Sequence, residues 1–442
     1  KAINAGLHGF DVTWGPLDYP YVGDGNLAAP RSANVKFFQC EAFGFGDDAF
    51  TTHSADDVSF TECFGHSPRL RDNCNAFEID GDSRRATLTA NRSKNCYSGI
   101  EIKGHGNESA AQDVIINGHR DEGSVRSFNF RHIDYHQPTA PLSKTAKNIV
   151  ATNLVSINPN NDQGFQDEAS PRALCISAYH GVSIAGLTAI GRGGYAAGTV
   201  AVAIQFKSGH INLSGLNISG WTGADQDVSI TSGDKVNVSG LTCVGSAARA
   251  VYTGSTVTAV NITGVTATAP GAGAAYGMDL HTSAGVRVSG IAVTGYPTPF
   301  RADAVNYLSM DAFARRTEEI PEGVTKLADL DTTKDYYAST TGFATFTDRP
   351  AGQGGGNWIT HSRINSTSTI QTVTRNSSGA TLQTQHWRIL DYTSKVVGPW
   401  NRTNIGDLVP ISGVLAAGVT TPPAGAAPGS VWLLNSAVAI AA

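Results

Sequence analysis

A short hydrophobic phrase recurs along the chain: apolar, any residue, apolar, small, Gly, apolar. It occurs at Val182, Ile184, Gly186 and Leu187, and again at Ile211, Leu213, Gly215 and Leu216. Three further copies begin at Val236, Val260 and Val286, so successive copies are spaced by 29, 25, 24 and 26 residues. Looser copies begin at Val35, Val58, Ala86, Val114 and Ile149. A second strand signal lies between the copies: AFTTH, AFEID, GIEIK, SFNFR, ALCIS, AIQFK, DVSIT and GMDLH. All but AFTTH, where Thr52 takes the second place, hold two apolar residues separated by one polar or small residue, the alternation of a strand with one buried face.

Two or three short strands in every 25 or so residues are the signature of a parallel β-helix. One coil cannot bury its own apolar face, whereas stacked coils pair their strands about 4.8 Å apart and share a core. The pattern predicts an all-β fold, a right-handed parallel β-helix over 1–309 of up to ten coils, followed by a small β-rich C-terminal domain. Insertions at 104–112, 132–147 and 157–171 fall in the early and middle coils, where loops build clefts. The charged stretch 310–326 reads as a linker. The texture at 327–403 turns to Thr, Ser and aromatic residues, and suggests a small β domain. Residues 404–442, with Pro422, Pro423 and Pro428, read as a tail or the start of a further module.

Composition supports this reading. Charged residues are 16% of the 442, with 49 Gly and 2 Met, which disfavours helix. The net charge of -5 argues against nucleic acid as a partner. No run of 18 apolar residues occurs, so membrane insertion is not expected. The chain starts at Lys1 without a signal-like segment and reads as a fragment. The six cysteines form no CxxC pair and are expected to be buried free thiols.

Stacking the second strands places outward residues in columns. One runs Thr51, Glu78, Glu101, Asn129, Cys175, Gln205 and Ser229; the next runs His53, Asp80, Lys103, Arg131, Ser177, Lys207 and Thr231. Outward neighbours are roughly 6.5–7 Å apart along a strand and about 5 Å apart between coils. Glu78, Asp80 and Glu101 should then form an outward triangle of carboxylates flanked by Lys103 and Arg131. Paired carboxyls serve glycoside hydrolysis, one donating a proton and the other activating water or attacking. Beyond the triangle, His132, Tyr135 and His136 follow Arg131, while His105, Arg172 and His180 complete a rim suited to sugar and carboxylate recognition. The same residues suit a second chemistry, elimination next to a uronate carboxylate, with Lys103, Arg131, His132, Tyr135 or His136 as base. No Ca²⁺ loop, zinc spacing, phosphate loop or nucleophile elbow occurs, so no metal or cofactor is expected.

The segments GDDAFTTHSADDVSFTECFGHSPR, NAFEIDGDSRRATL, GIEIKGHG, RSFNFRHIDYH and PRALCISAYHGV resemble phage tailspike depolymerases with a pectate-lyase-like β-helix. The resemblance covers Gly46 to His180. It implies a homotrimer in the virion tail, acting outside the host cell on a bacterial capsular or exopolysaccharide. It carries Asp48, His53, Glu78, Asp80, Arg84, Glu101, Lys103, His105, Arg131 and His132 over as site residues. The expected activity is depolymerisation by glycoside hydrolysis through the Glu78, Asp80 and Glu101 carboxyls, with elimination and binding without cleavage as the alternatives. A second resemblance, over Leu327 to Asn401, is to the pyocin-knob module of phage fibres, which implies sugar or receptor binding or trimer closure.

Overall fold

The computed structural model describes residues 1–302 apart from 14–22, 28–29, 107, 138, 166–169 and 282–284. Beyond 302 it describes the backbone of short strands. The chain divides into two units, residues 1–297 with 308–313, and residues 298–307 with 314–442. The first is a parallel β-helix of about nine turns. No helix among the described residues is long and apolar enough to cross a membrane.

Two parallel strand stacks make the solenoid. One holds the recurring phrase, with strands such as His180–Ile190, Gly209–Ser219 and Ala259–Thr268. They pair in strict register: Ile184 lies over Leu213, Leu213 over Val238, and Val238 over Ile262. The Gly of the phrase sits at a left-handed corner that recurs in every coil. Gly186, Gly215, Gly240, Gly264 and Gly290 all have φ between 62° and 78°. In earlier coils Gln39, Glu62, Ala90 and Asn153 hold the same corner at φ 51–55°, so those copies of the phrase look looser in the sequence.

The other stack carries the candidate site. It runs through Phe10–Val12, Phe50–Thr52, Phe77–Ile79, Ser98–Gly104, Arg126–His132, Arg172–Ser177 and Val200–Gln205. Its inward residues include Phe50, Phe77, Ile79, Ile100, Ile102, Phe128, Phe130, Leu174 and Ile176, all fully buried. In the first coils the core is aromatic. Phe10, Phe50 and Phe77 stack face to face with centroids 5.1 and 4.8 Å apart. Phe37 and Phe60 from the facing stack lie 5.0 Å apart and meet them edge-on. From Leu174 onward the core of this stack turns aliphatic.

A polar network closes one inner corner. Asp121 accepts from Ser93, Ser124 and Ser127, and Ser93 also contacts His119 at 2.8 Å. Burial raises Asp121 to about 6 and lowers His119 to about 3. A Cβ on Gly99 would lie 2.7 Å from the Asp121 carboxylate, so the corner requires glycine there. All six cysteines are free, as expected; five are buried, while Cys40 is partly exposed.

In the second unit, strands at Thr317–Glu319, Asp335–Ala338, Asn357–Arg363, Ser368–Arg375, Thr384–Asp391 and Asn401–Asn404 form one six-stranded, largely antiparallel sheet. The first of these strands falls inside the stretch expected to be a linker. Ile411–Val414, Val431–Leu434 and Ala437–Ile440 form a separate three-stranded sheet. Most of the expected linker and tail lies outside the described residues.

Candidate functional site

The register confirms most of the outward columns. Thr51, Glu78, Glu101, Asn129 and Cys175 are successive partners, as are Lys103, Arg131 and Ser177. The next coil corrects the reading. Ala203, not Gln205, follows Cys175, and Gln205 rather than Lys207 follows Ser177. The inward pair there is Val202 and Ile204; Phe206 lies past the strand end and is 42% exposed.

Glu78, Asp80 and Glu101 point outward, yet all are buried. Each is tied to a base. The Lys103 ammonium is 2.7 Å from Glu78 and 3.4 Å from Asp80, and Arg131 Nε donates to Glu101 at 2.5 Å. Asn75 donates to Glu78, and Ser98 to Glu101. Burial pushes Asp80 and Glu101 up, but the cations outweigh it: Lys103 with His53 and His105 around Asp80, Arg131 with Lys103 around Glu101. Both end below the ordinary carboxylate range. They are ionised at neutral pH and are not proton donors.

Two flanking carboxyls behave oppositely. Asp48 is fully buried, and burial with the nearby Glu78 raises it well above the usual range. It accepts from the Asn75 N–H at 3.0 Å and faces His8 Nδ1 at 3.3 Å. Burial would lower His8, but Asp48 and Asp47 outweigh it and raise it to about 9. Glu108 is raised to about 8 by burial and Asp80. Sequence reasoning missed His8 and Glu108: one comes from an early turn, the other from the 104–112 insertion, and neither sits in a repeat column. The donor atoms of His8, Asp47 and Asp48 lie within 4.8 Å of one another, as do those of Asp80, His105 and Glu108. Either group could hold a divalent cation, which the sequence reading did not expect.

Glu108 carries a pH prediction. A carboxyl raised in the folded state holds a proton that the unfolded chain releases above pH 4–5, so stability falls as pH rises toward 8. Glu108→Gln should therefore be more stable than wild type at pH 8, by on the order of 1 kcal/mol or more, and lose that advantage at pH 4.5. Denaturation midpoints in EDTA at the two pH values check this; an advantage that does not change with pH would rule it out.

The remaining expected residues divide. His53 contacts Thr51 Oγ1 at 3.1 Å and Asp80 at 3.8 Å, inside the cluster. His105 reaches Glu108 through its backbone N–H. His132 is fully buried, contacts Ser143 and the His105 carbonyl, and stacks on Tyr135 at 4.1 Å. Burial lowers its pKa, and its role here is to pin the 132–147 loop. His136 stacks on Phe206 and is lowered to about 4 by burial, with Arg131, His132 and Arg126 adding to the shift. Arg172 contacts Cys175 and Gln205. Burial would raise the Cys175 thiol, but Arg172 and Arg126 outweigh it and leave it lowered.

Arg84 and His180 are placed elsewhere. Arg84 joins Asp56 at 2.8 Å in a cluster with Arg31 and Asp82, because its coil turns away after Asp80. His180 opens a strand of the other stack, over Lys147 and under Gly209.

The geometry defines a parallel β-helix with a buried, charged cluster on one outer stack, the fold expected from the tailspike resemblance. The chain is 43% identical over 311 residues to the pre-neck appendage protein of Bacillus phage phi29, covering 70% of this chain and 36% of that protein. It is 34% identical over 273 residues to a phage-related protein, YobO, of Bacillus subtilis. The solved N-terminal fragment of phi29 gene product 12 matches with 44% identity and a TM-score of 0.64, over 68% of this chain and 50% of that one. The chain thus spans about a third of the curated relatives' length. No family model matches it. The phage-tail localisation expected from the sequence agrees with the phage phi29 relative, a pre-neck appendage protein.

Proposed function

We propose that this chain is the shaft of a phage tail appendage that binds a bacterial surface polysaccharide along the Glu78–Glu101–Cys175 face. The carrying observation is that all three outward acids are fixed by Lys103 or Arg131 on a rigid sheet. That arrangement is a preorganised, buried charged cluster on the outer stack, and it ties up the carboxyl that hydrolysis would need as a proton donor. The likeness to appendage proteins supports this reading. The homotrimer implied by the tailspike resemblance, and a knob-like receptor role for 327–403, belong to the same proposal.

A specific observation favours a second reading, cleavage of the bound polymer. Raised carboxyls at Asp48 and Glu108 flank lowered ones at Asp80 and Glu101, and carboxyls whose pKa values are pushed apart are what acid–base work uses. One experiment tests both. Host cells and purified polysaccharide are incubated with wild type and with Glu101→Gln, and retention and polymer size are measured. Retention with unchanged polymer size, weakened about tenfold or more by the variant, is expected. No retention would overturn the binding reading. Shortened polymer would establish cleavage, with absorbance near 235 nm marking elimination and its absence hydrolysis. Light scattering of the full chain tests the trimer.

A further inference from the structure

The last apolar place of the recurring phrase changes character in two early coils. In later coils Leu187, Leu216, Leu241, Val265 and Ile291 hold it, directly after the corner glycine, and all are buried. Cys40 follows the corner residue Gln39 and Cys63 follows Glu62, so two neighbouring coils place a thiol there instead. Strand register stacks the two. Phe38 lies over Thr61 and Glu41 over Phe64, which brackets the cysteines, and the Phe64 N–H donates to the Cys40 carbonyl at 2.8 Å. The next coil ends the column with Asn91, whose side-chain oxygen accepts from the Cys63 N–H at 2.8 Å.

Both thiols turn the same way: Cys40 Sγ donates to the Phe38 carbonyl at 3.6 Å and Cys63 Sγ to the Thr61 carbonyl at 3.4 Å. They lie close enough to interact. Burial raises the Cys63 thiol, and the Cys40 thiol adds to the rise. One rung of a parallel stack is about 4.8 Å, inside the roughly 4.4–6.8 Å Cα separation that a disulfide spans. Access is one-sided. Cys63 is fully buried, whereas Cys40 is partly exposed and lines an open hollow of about 570 Å³ together with Glu41, Glu62 and Arg92. Arg92 lies over the Phe64 ring at 4.8 Å and supplies a cation in the hollow, where positive charge favours a thiolate. The other four cysteines are buried. Among the described residues, Lys36–Phe38 pairs with Ser59–Thr61 alone, so this rung is an edge of its stack, where fraying begins.

We propose that Cys40 and Cys63 form an oxidation site: outside the cell they join as a disulfide that staples this edge rung to the coil beside it. The co-reactant is a low-molecular-weight disulfide, RSSR. Cys40 loses its proton to water and attacks one sulfur, which breaks the S–S bond, forms a mixed disulfide and releases RS⁻, protonated to RSH. Cys63 then loses its proton and attacks the Cys40 sulfur, closing the Cys40–Cys63 bond and releasing the second RSH. The two cysteines give up two electrons, and RSSR is reduced to two RSH. A phage appendage is made in the reducing interior of its host and works outside it, so the thiols stay free during folding and pair after release.

The test uses the full chain, with oxidised glutathione as the probe. Folded, reduced protein is treated, quenched in acid, unfolded and alkylated, and its peptides are weighed. Residues 37–69 form one tryptic peptide that holds both cysteines. It should emerge unalkylated and lighter by two hydrogens, while the other four cysteines are alkylated. Cleavage after Glu41 and Glu62 should leave the two cysteine fragments joined until dithiothreitol is added. Cys63→Ser should instead retain one glutathione on Cys40, and Cys40→Ser none. Oxidation should slow amide exchange in Lys36–Phe38 about tenfold or more, an effect reversed by dithiothreitol and missing in Cys40→Ser. Six free thiols after treatment, glutathione left on wild-type Cys40, Cys63 joined to a different cysteine, or amide exchange unchanged by the bond would each overturn the staple. The mass map and the exchange comparison are both read on wild type, so they decide the matter even where a variant fails to fold.

Discussion

Replacing Lys103 with Met is expected to cost about 3–5 kcal/mol of stability at pH 7, and less at acid pH. Lys103 is 8% exposed and its ammonium lies 2.7 Å from Glu78 and 3.4 Å from Asp80, themselves 3% and 7% exposed. Burial would lower its pKa, but Asp80, Glu78 and Glu101 outweigh that and hold it well above the ordinary lysine value. The sign follows. A raised lysine contributes fully below pH 10 and loses its contribution only as pH climbs through the folded pKa, so at pH 7 all of it is at stake. Methionine keeps the stem's volume and removes the charge, which strands two buried carboxylates. They would be restored by protonation, so the deficit should shrink as pH falls toward 4.5. Wild-type Asp80 behaves in the opposite way: its lowered pKa contributes stability above pH 4 that is lost as pH falls. Denaturant midpoints of the two proteins at pH 7 and 4.5 measure this. A deficit below about 1 kcal/mol at pH 7, or one independent of pH, would mean the ion cluster is solvated rather than buried. Adding Glu78→Gln to Lys103→Met should recover part of the loss.

The solenoid was legible because its cause is local and repeated. Every coil must bury two apolar positions per strand and turn a left-handed corner, so Val182, Ile184 and Gly186 return as Val236, Val238 and Gly240. The column Glu78, Glu101, Asn129, Cys175 was legible for the same reason, since strand alternation fixes which side chains face outward. The slip at Val200–Gln205 has a plain origin. Phe206 looked like an inward residue, but the strand ends before it and its ring stacks on His136 instead. Charge state was not legible. Spacing predicted that three carboxylates would gather, and the hydrolysis reading required one of them to donate a proton. It did not show that Lys103 and Arg131 would lie close enough to prevent that. His8 and Glu108 reach the cluster through turns of irregular length, and Arg84 leaves it because the chain bends after Asp80. No periodic pattern encodes such arrivals.

Phe60→Ala is the second large effect, expected at about 3–5 kcal/mol. Phe60 has no exposed surface, stacks on Phe37 at 5.0 Å, and meets Phe50 and Phe77 edge-on at 5.8 and 5.9 Å. Its removal opens a cavity where the two stacks meet and takes away ring contacts worth about 0.5–1.5 kcal/mol beyond area. The loss should not spread evenly. A solenoid's stability is a sum of coil terms and nearest-neighbour interfaces, so damage in an early coil stays with its neighbours. Hydrogen exchange should accelerate through Lys36–Phe38, Phe50–Thr52 and Phe77–Ile79, while amides in Gly209–Ser219 and Ala259–Thr268 keep their protection. Uniform acceleration along the whole shaft would show one cooperative unit instead. The local outcome bears on function, because the same coils carry Asp48, Glu78 and Asp80. The charged cluster is therefore built on the aromatic segment of the core, and loosening that segment should disturb the cluster while the later coils remain folded.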